Sequence, residues 1–316
     1  MNSFDRNLFK AAEIIPQTQL VLQEFLALLA NIKPVLSYSI REEQLELIKS
    51  YFPELSIIIA ERGVEKKKQM YLCSISKKKD LALEAMNLYL NFNPRNFIDF
   101  QKLGNLMGYP KCCVLNFFNF LNQDFHSNQT LLIYNIYKAS KSYSFLTNNV
   151  LNFSTRINSN SDWINFDEFI KINFDFWKQV HTPHHYFQFI SHIPCRYDCL
   201  ESIKLGKKIQ NLFRKYAPDT EKIVTYTLSK PILFFDFFKL VIFDGYFKDN
   251  TLYYQRIIPP FFLIDNLLME KIKSGNKIII DNKTIKILKY KSLLFVYSKK
   301  NEADGFILDF SEDRKI

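Results

Sequence analysis

The sequence predicts a mixed α+β protein with a small α/β unit over residues 1–95, a helical middle over 96–220 and a β-rich domain over 221–316. Three observations lead to this prediction. Runs of β-branched residues alternate with helical patterns in the first part. Helical patterns dominate the middle, where the cysteine motifs lie. Short strand-like runs separated by Gly, Asn and Asp turn signals fill the last part.

The α/β unit contains apolar residues at the spacing of amphipathic helices and two runs typical of strands. Helices are predicted over residues 11–31, 41–52 and 80–90. The run from Leu55 to Ala60 is rich in isoleucine and predicts a buried strand. A second strand is predicted from Gln69 to Ser76.

The middle part is predicted to be mainly helical. Helices are expected over the following stretches: 97–106, 111–121, 131–143, 166–177 and 203–216. Residues 148–162 are rich in Asn and Ser and predict an exposed loop or linker.

The β-rich domain is inferred from six short apolar runs and one helical pattern. The predicted strands are Val224–Tyr226, Leu240–Phe243, Thr251–Ile257, Lys277–Ile280, Thr284–Leu288 and Leu293–Tyr297, with a helix over Leu263–Lys273. Turn signals such as Asp244-Gly245 separate these runs. A small barrel is one arrangement that such strands could form.

The chain has 42 basic and 32 acidic residues, and its formal charge is +10. A net positive charge is compatible with a nucleic-acid partner. However, the heavy use of Lys, Asn, Ile and Phe is typical of AT-rich genomes, and no Arg-rich helix or ribonucleoprotein motif supports nucleic-acid binding. The most apolar run is too short and too charged to span a membrane, and the N-terminus lacks a signal-peptide pattern. We therefore expect a cytoplasmic protein without a membrane span, whose partners the sequence leaves unknown.

Four of the five cysteines fall in two short motifs. One reads Gly-Tyr-Pro-Lys-Cys-Cys and ends in Cys112 and Cys113; the other reads His-Ile-Pro-Cys-Arg-Tyr-Asp-Cys and contains Cys195 and Cys199. A proline precedes each group, and proline is favoured at the first position of a helix. We therefore expect the first three of these cysteines in first turns of helices, where backbone N–H groups and the helix dipole stabilise thiolates. Cys195 and Cys199 are four residues apart and would face one direction on such a helix.

Two pairs of thiolates from separate helix starts can close a tetrahedral site, which would suit Zn²⁺ or an iron–sulfur cluster. The candidate ligands are therefore Cys112, Cys113, Cys195 and Cys199, and His192 could replace one of them. Neighbouring side chains tend to point apart, so the adjacent pair fits a larger cluster, or one ligand beside a reactive thiol, better than zinc. The plainer alternative is that these cysteines only fill core.

The two motifs together resemble the paired signatures of a prokaryotic domain-of-unknown-function family, Gly-Tyr-Pro-x-Cys-Cys and His-x-Pro-Cys-x-x-x-Cys. The similarity covers roughly residues 55–215, with some likeness in the C-terminal strands. The resemblance implies no known activity. It implies that the two motifs belong to one site.

Three other residues within the motifs are candidate catalytic groups. Tyr109, Tyr197 and Asp198 could donate protons or support the metal ligands, although packing and solvation are equally simple roles. Cys73 stands alone in a predicted strand and is expected to be a core residue.

The other metal-like cluster is His181–His185, for which a surface loop is the simpler interpretation. The sequence has no Gly-x-Gly-x-x-Gly, no Gly-Lys-Ser/Thr phosphate loop, no Gly-x-Ser-x-Gly and no His-Glu-x-x-His. A radical-SAM triad of cysteines is also missing. Common nucleotide-dependent and hydrolase classes are therefore disfavoured.

Three functions are compatible with these features of the sequence. The first is a metalloprotein that holds zinc or an iron–sulfur cluster through the four motif cysteines, with its reaction unknown. The second is a thiol-dependent redox or nucleophilic enzyme without metal, in which Cys112 or Cys113 attacks and Cys195 or Cys199 resolves the product. The third is a non-catalytic basic nucleic-acid-binding module. Whether the protein is an enzyme at all stays open.

Overall fold

The structure is a computed structural model that describes residues 3–15, 21–61, 70–123, 129–151, 188–236, 239–258 and 266–311. The predicted helix over 166–177 and the His181–His185 cluster lie outside these residues, as does most of the predicted loop over 148–162. The fold class is mixed α+β, as predicted, with a large antiparallel sheet in the C-terminal region.

The N-terminal part is a three-stranded antiparallel sheet with helices packed around it. Its elements are α1 (Ser3–Ile14), α2 (Leu22–Leu29), β1 (Val35–Arg41), α3 (Glu42–Tyr51), β2 (Ser56–Glu61), β3 (Met70–Ser76) and α4 (Lys79–Leu90). The strand order is β1-β3-β2, with β3 in the centre. Strand β1 was not predicted, because serines and a tyrosine interrupt its apolar residues.

The single helix predicted over residues 11–31 is wrong. Two helices occur instead, and α1 ends at Ile14, shortly before Pro16, which cannot continue the helical hydrogen bonding. Every residue of α2 is buried, so this helix runs through the core rather than along the surface.

The middle part is helical, as predicted. Its elements are α5 (Phe97–Leu106), α6 (Lys111–Gln123), α7 (Gln129–Ala139), a short 3₁₀ turn at Phe145–Thr147 and α8 (Leu200–Tyr216). α5 and α6 pack against each other, and phenylalanine rings fill part of their interface, as in the pair Phe97 and Phe118.

The strand predicted at Val224–Tyr226 is wrong, because these residues lie in a helix, α9 (Pro218–Leu228). Pro218 occupies the start of the helix, and Asp219 and Glu221 lie in its first turn. These are strong helix-start signals, and they outweigh the local strand preference of a short β-branched run.

The remaining chain forms one seven-stranded antiparallel sheet with a helix against it. Its elements are β4 (Ile232–Asp236), β5 (Lys239–Lys248), β6 (Thr251–Ile258), α10 (Asn266–Ser274), β7 (Lys277–Ile280), β8 (Thr284–Lys289), β9 (Ser292–Ser298) and β10 (Phe306–Leu308). The order β10-β4-β5-β6-β7-β8-β9 is an open sheet rather than a barrel. β4 and β10 were not predicted.

A large hydrophobic core connects all three predicted parts. It contains Leu8 from α1, Ile75 from β3, Ile133 from α7, Phe213 from α8 and Phe310 near the C-terminus, all buried. A second core lies between α10 and the C-terminal sheet. None of the described helices has both the length and the apolar character needed to span a lipid bilayer.

Candidate metal centre

The four motif cysteines meet at one point, although two of them lie more than 80 residues along the chain from the others. The four sulfur atoms all lie within 4.8 Å of one another. Cys112 Sγ is 3.9 Å from Cys113 Sγ and 3.6 Å from Cys199 Sγ, and Cys113 Sγ is 3.7 Å from Cys199 Sγ. The adjacent cysteines therefore point to the same centre, against the expectation that they would diverge.

The turn between α5 and α6 places the first cysteine pair. The Gly108 N–H donates to the Asn105 carbonyl (3.0 Å) and the Tyr109 N–H to the Gly104 carbonyl (2.8 Å). These two bonds form a Schellman C-cap, which requires a left-handed residue, and Gly108 has φ +71°. A side chain at Gly108 would also approach the backbone of Ile32 and Lys33. The glycine of the motif thus redirects the chain into α6.

Close packing of α5 on α6 fixes the direction in which the cysteines point. A Cβ atom built on Gly104 would lie 2.4 Å from Val114 Cγ2, so only glycine permits this approach. Proline was expected at the first helical position, but α6 begins at Lys111, so Pro110 stands at the N-cap. The Pro110 carbonyl accepts hydrogen bonds from the Cys113 and Val114 N–H groups (3.0 Å each). Cys112 and Cys113 therefore lie in the first turn of α6, as predicted.

The second motif is a hydrogen-bonded turn, and the prediction that Cys195 opens a helix is wrong. The Cys199 N–H donates to the Arg196 carbonyl (3.1 Å) within this turn. Cys199 is the N-cap of α8, so the helix begins at Leu200 and not at Cys195. Tyr197 explains the difference: its side chain is buried, and its N–H donates to Ser140 Oγ (2.8 Å). Tertiary contacts hold the turn in place of a helical one.

The turn binds the first motif directly. The Cys195 N–H donates to Cys113 Sγ at 3.3 Å. Neighbouring residues anchor the turn to the core on both sides: Asn149 Nδ2 donates to the His192 carbonyl (3.0 Å), and Lys33 Nζ donates to Ser191 Oγ (2.8 Å). The sulfur cluster is therefore preorganised by backbone and side-chain hydrogen bonds.

Water reaches the four cysteines to different extents. Cys113 and Cys199 are 2% and 4% exposed. Cys195 is half-buried and Cys112 is exposed. The centre thus has a buried side against the protein and one sulfur-bearing residue at the surface.

The cluster also perturbs the acidity of its members. Hydrogen bonds from the thiols of Cys113 and Cys195 hold the pKa of Cys199 well below its usual range. Hydrogen bonds to Cys195 and Cys199, together with burial, raise the pKa of Cys113 well above its usual range. For Cys195, the hydrogen bond with Cys113 lowers the pKa, but the bond to Cys199, burial and the nearby sulfur charges raise it to about 12. Without a cation, the Cys199 thiolate is stabilised while Cys113 and Cys195 keep their protons.

His192 lies behind this cluster. It is outside the group of four candidate ligand residues that meet within 4.8 Å among the described part of the chain. Its Nε2 atom is 2.8 Å from Ser202 Oγ, and Ser202 Oγ is 3.2 Å from Cys113 Sγ. Burial and the nearby positive charge of Lys33 lower the pKa of His192 to about 3, so the ring is neutral near pH 7.

The candidate catalytic residues have separate positions. Tyr109 is half-buried, and its ring lies 5.3 Å from the His192 ring and 4.8 Å from Lys33 Nζ. Tyr197 is fully buried and packs perpendicular to the Phe310 ring at 5.0 Å. Asp198 accepts from the Lys141 N–H and pairs with Arg196 (both 3.2 Å). Tyr109 and Asp198 both line a surface cleft beside the cysteines, whereas Tyr197 is buried in the core and does not line the cleft.

This cleft has a volume of about 1490 Å³ and follows the exposed face of α8. Its lining includes four basic residues and two acidic ones. The basic residues are Arg196, Lys204, Lys207 and Lys208, and the acidic residues are Asp198 and Glu201. The cleft therefore carries a small excess of positive charge next to the cysteines.

Cys73 is completely buried in β3 and belongs to the main core, as predicted. Burial raises the pKa of its thiol to about 11. Ser202 and Lys33 were not predicted, although both are buried and lie close to the site. The position of Ser202 three residues after Cys199 was the one local signal for it, and no local pattern marks Lys33.

No family model matches the sequence, and the chain has no match among curated proteins or solved structures. The chemistry of the four cysteines is therefore the basis for a functional conclusion.

Proposed function

We propose that the protein is a metalloprotein in which Cys112, Cys113, Cys195 and Cys199 hold a single zinc ion. The ion joins the start of α6 to the turn before α8. Four thiolates fill a tetrahedral coordination sphere, which is typical of structural zinc sites. The reaction or binding partner that this centre serves is not assigned.

The sulfur spacing carries the proposal. A regular tetrahedron with zinc–sulfur bonds of about 2.3 Å has sulfur–sulfur edges of about 3.8 Å. The sulfurs of Cys112, Cys113 and Cys199 are 3.6, 3.7 and 3.9 Å apart, close to three edges of this tetrahedron, and the Cys195 sulfur lies within 4.8 Å of all three. The arrangement thus supports one ion at the centre of the four sulfurs.

The same spacing disfavours an iron–sulfur cluster. Cysteine sulfurs bound to different irons of a cluster lie roughly 5.5–6.5 Å apart, because the irons and bridging sulfides separate them. All sulfurs of this site lie within 4.8 Å. A cluster would require the two motifs to move apart, which the hydrogen bond from Cys195 to Cys113 opposes.

The full chain, purified without oxygen, tests this proposal by metal analysis and visible spectroscopy. We expect one zinc per chain and a colourless protein. Replacement of zinc by Co²⁺ should give the intense absorption of a tetrahedral thiolate site. The variant Cys113→Ser/Cys199→Ser should lose the metal, whereas Cys73→Ala, which alters the cysteine of the core, should keep it. Stoichiometric iron with sulfide, or a folded chain free of metal, would overturn the proposal.

A metal-free thiol enzyme is the second candidate, because Cys112 is exposed and its sulfur is 3.6 Å from that of Cys199. In that case mild oxidation should give a Cys112–Cys199 disulfide in a protein that binds no metal, and Cys112→Ser should abolish a thiol-dependent activity. Under the zinc proposal, bound metal should protect Cys112 from alkylation. Peptide mass mapping with and without metal distinguishes the two candidates.

We further propose that the two motifs are the signature of one family, as the resemblance implies, and that the protein works in the cytoplasm. The meeting of both motifs at one centre supports the first point. Free thiols at all five cysteines are compatible with a reducing compartment. Nucleic-acid binding stays a prediction, and the basic residues of the cleft are where a nucleic acid would bind. Binding to labelled RNA or DNA that weakens steeply with salt would support it.

A further inference from the structure

We infer that Ser202 and His192 form a buried hydrogen-bond relay that ends on the Cys113 sulfur and stabilises its thiolate charge. In this arrangement His192 positions and polarises a metal ligand without being one. The inference rests on the proposed metal centre. It adds Ser202, which lies outside both cysteine motifs, and gives His192 of the second motif a supporting role in place of a ligand role.

The relay consists of two short contacts between fully enclosed groups. Ser202 Oγ is 3.2 Å from Cys113 Sγ and 2.8 Å from His192 Nε2. Ser202 is 0% exposed, Cys113 2% and His192 5%. Buried hydrogen bonds to a charged acceptor are stronger than those at the surface, because water does not compete for them.

The number of protons fixes the direction of each bond. A metal-bound Cys113 has no proton, so Ser202 must donate its only hydroxyl proton to Sγ. The contact between Ser202 and His192 then requires a proton from the imidazole. His192 must therefore carry its proton on Nε2 and a lone pair on Nδ1.

The surroundings of His192 agree with this tautomer. Its Nδ1 atom is buried and has no hydrogen-bond partner among the described residues. Burial, and after it the nearby charge of Lys33, lower the pKa of the ring and keep it neutral. Lys33 is itself buried and pairs with Glu24. The ring also packs against Tyr109, which limits its rotation.

The relay gives Cys113 two donors in total, Ser202 Oγ and the Cys195 N–H. Hydrogen bonds to a thiolate lower the energy of its lone pairs, and they stabilise the thiolate relative to the protonated thiol that competes with metal binding. Such supporting partners typically change metal affinity by about 10–100-fold. Removing the hydroxyl should therefore weaken binding and shift the sulfur-to-metal charge-transfer band to lower energy.

The experiment compares Ser202→Ala with the wild-type full chain, both loaded with Co²⁺ and, separately, with Zn²⁺. We expect a charge-transfer band at lower energy and zinc binding about tenfold weaker in a chelator competition. His192→Gln retains an N–H at a similar position and should resemble wild type. His192→Phe removes it and should shift the band as Ser202→Ala does, while still binding one metal per chain. Ser74→Ala, which also removes a buried serine hydroxyl, is the matched control and should change neither quantity.

Nitrogen-15 NMR of the zinc-loaded chain tests the tautomer directly. We expect the Nε2–H form of His192 in wild type and loss of this preference in Ser202→Ala. A wild-type chain that binds no metal would overturn the metal centre and the relay together. A wild-type chain that binds zinc, with Ser202→Ala unchanged in band position and affinity, would overturn the relay alone. Loss of the metal in His192→Phe would instead show that His192 is a ligand.

Discussion

At the level of single residues, the four cysteines share one centre but differ in acidity. Cys199 is stabilised as a thiolate by the thiols around it, whereas Cys113 and Cys195 have raised pKa values and keep their protons in the absence of a cation. Four thiolates within 4.8 Å would repel one another strongly without a metal. The zinc ion of the proposed site would therefore replace protons on these cysteines.

This protonation pattern predicts that metal binding depends on pH. Cys113 and Cys195 bind protons near pH 7 in the metal-free protein and lose them to the metal, so each bound zinc should release about two protons or more. Affinity should then fall by about a hundredfold for each pH unit below neutral. Titration calorimetry in buffers of different ionisation enthalpy measures the proton count. Binding without proton release would contradict the assigned pKa directions.

The cysteines themselves were identifiable from the sequence, because two proline-led pairs are a strong local pattern. The hydrogen-bond contacts around the cysteines were not identifiable from the sequence. Ser202 and His192 approach Cys113 only after the chain has folded, and a single serine or histidine has no periodicity that would mark it. His192 was predicted as a possible ligand because of its spacing from Cys195, yet its contact is with Ser202.

At the level of secondary-structure elements, the interface between α5 and α6 controls where the first cysteine pair lies. Helix propensity alone predicts that Gly104→Ala stabilises α5 by about 1 kcal/mol. The packing predicts the opposite, because the new methyl group would lie 2.4 Å from Val114 Cγ2. We expect Gly104→Ala to destabilise the protein by about 1–3 kcal/mol and to weaken zinc binding, since α6 must shift.

Urea unfolding of a double-mutant cycle checks this prediction. Val114→Ala removes the methyl groups that the new Cβ would meet, so Gly104→Ala/Val114→Ala should recover part of the stability lost in Gly104→Ala. Gly104→Ala with a stability equal to or above that of wild type would show that the two helices can separate without cost.

Elements with strong local signals were predicted well, and those that depend on distant partners were not. The helix over 203–216 and most strands of the C-terminal sheet occur close to their expected positions. β10 has three residues and exists because β4 pairs with it. The turn at Cys195 likewise depends on Ser140 and on a buried tyrosine, which are remote from the motif or hidden within it.

At the level of the whole molecule, the four-cysteine site joins segments that are far apart in the sequence. Cys113 and Cys199 are separated by 86 residues, and the hydrogen bond between Cys195 and Cys113 spans 82. The main hydrophobic core also connects these segments, since it includes residues from α1 through α8 to Phe310. The core holds α6, α8 and the N-terminal sheet together, and the proposed zinc ion would add a second, independent link between α6 and α8.

This redundancy predicts what removal of the metal does. A core of this size should keep the metal-free chain folded, unlike small zinc domains that unfold without their ion. If the proposed zinc ion binds the folded state alone, free metal at 100–1,000 times its Kd should stabilise that state by about 2.7–4.1 kcal/mol. For a chain of this length the thermal midpoint should drop by roughly 5–10 °C on chelation.

Scanning calorimetry and circular dichroism with and without a chelator measure the effect. Helix and strand content should change little, whereas the turn at residues 191–199 should become more sensitive to protease, because it loses its strongest tie to α6. The variant Cys113→Ser/Cys199→Ser should already melt at the lower temperature and should not respond to chelator. Complete unfolding on chelation would mean that the hydrophobic core is insufficient without zinc. An unchanged thermal midpoint would mean that the cysteines hold no metal ion that stabilises the folded state.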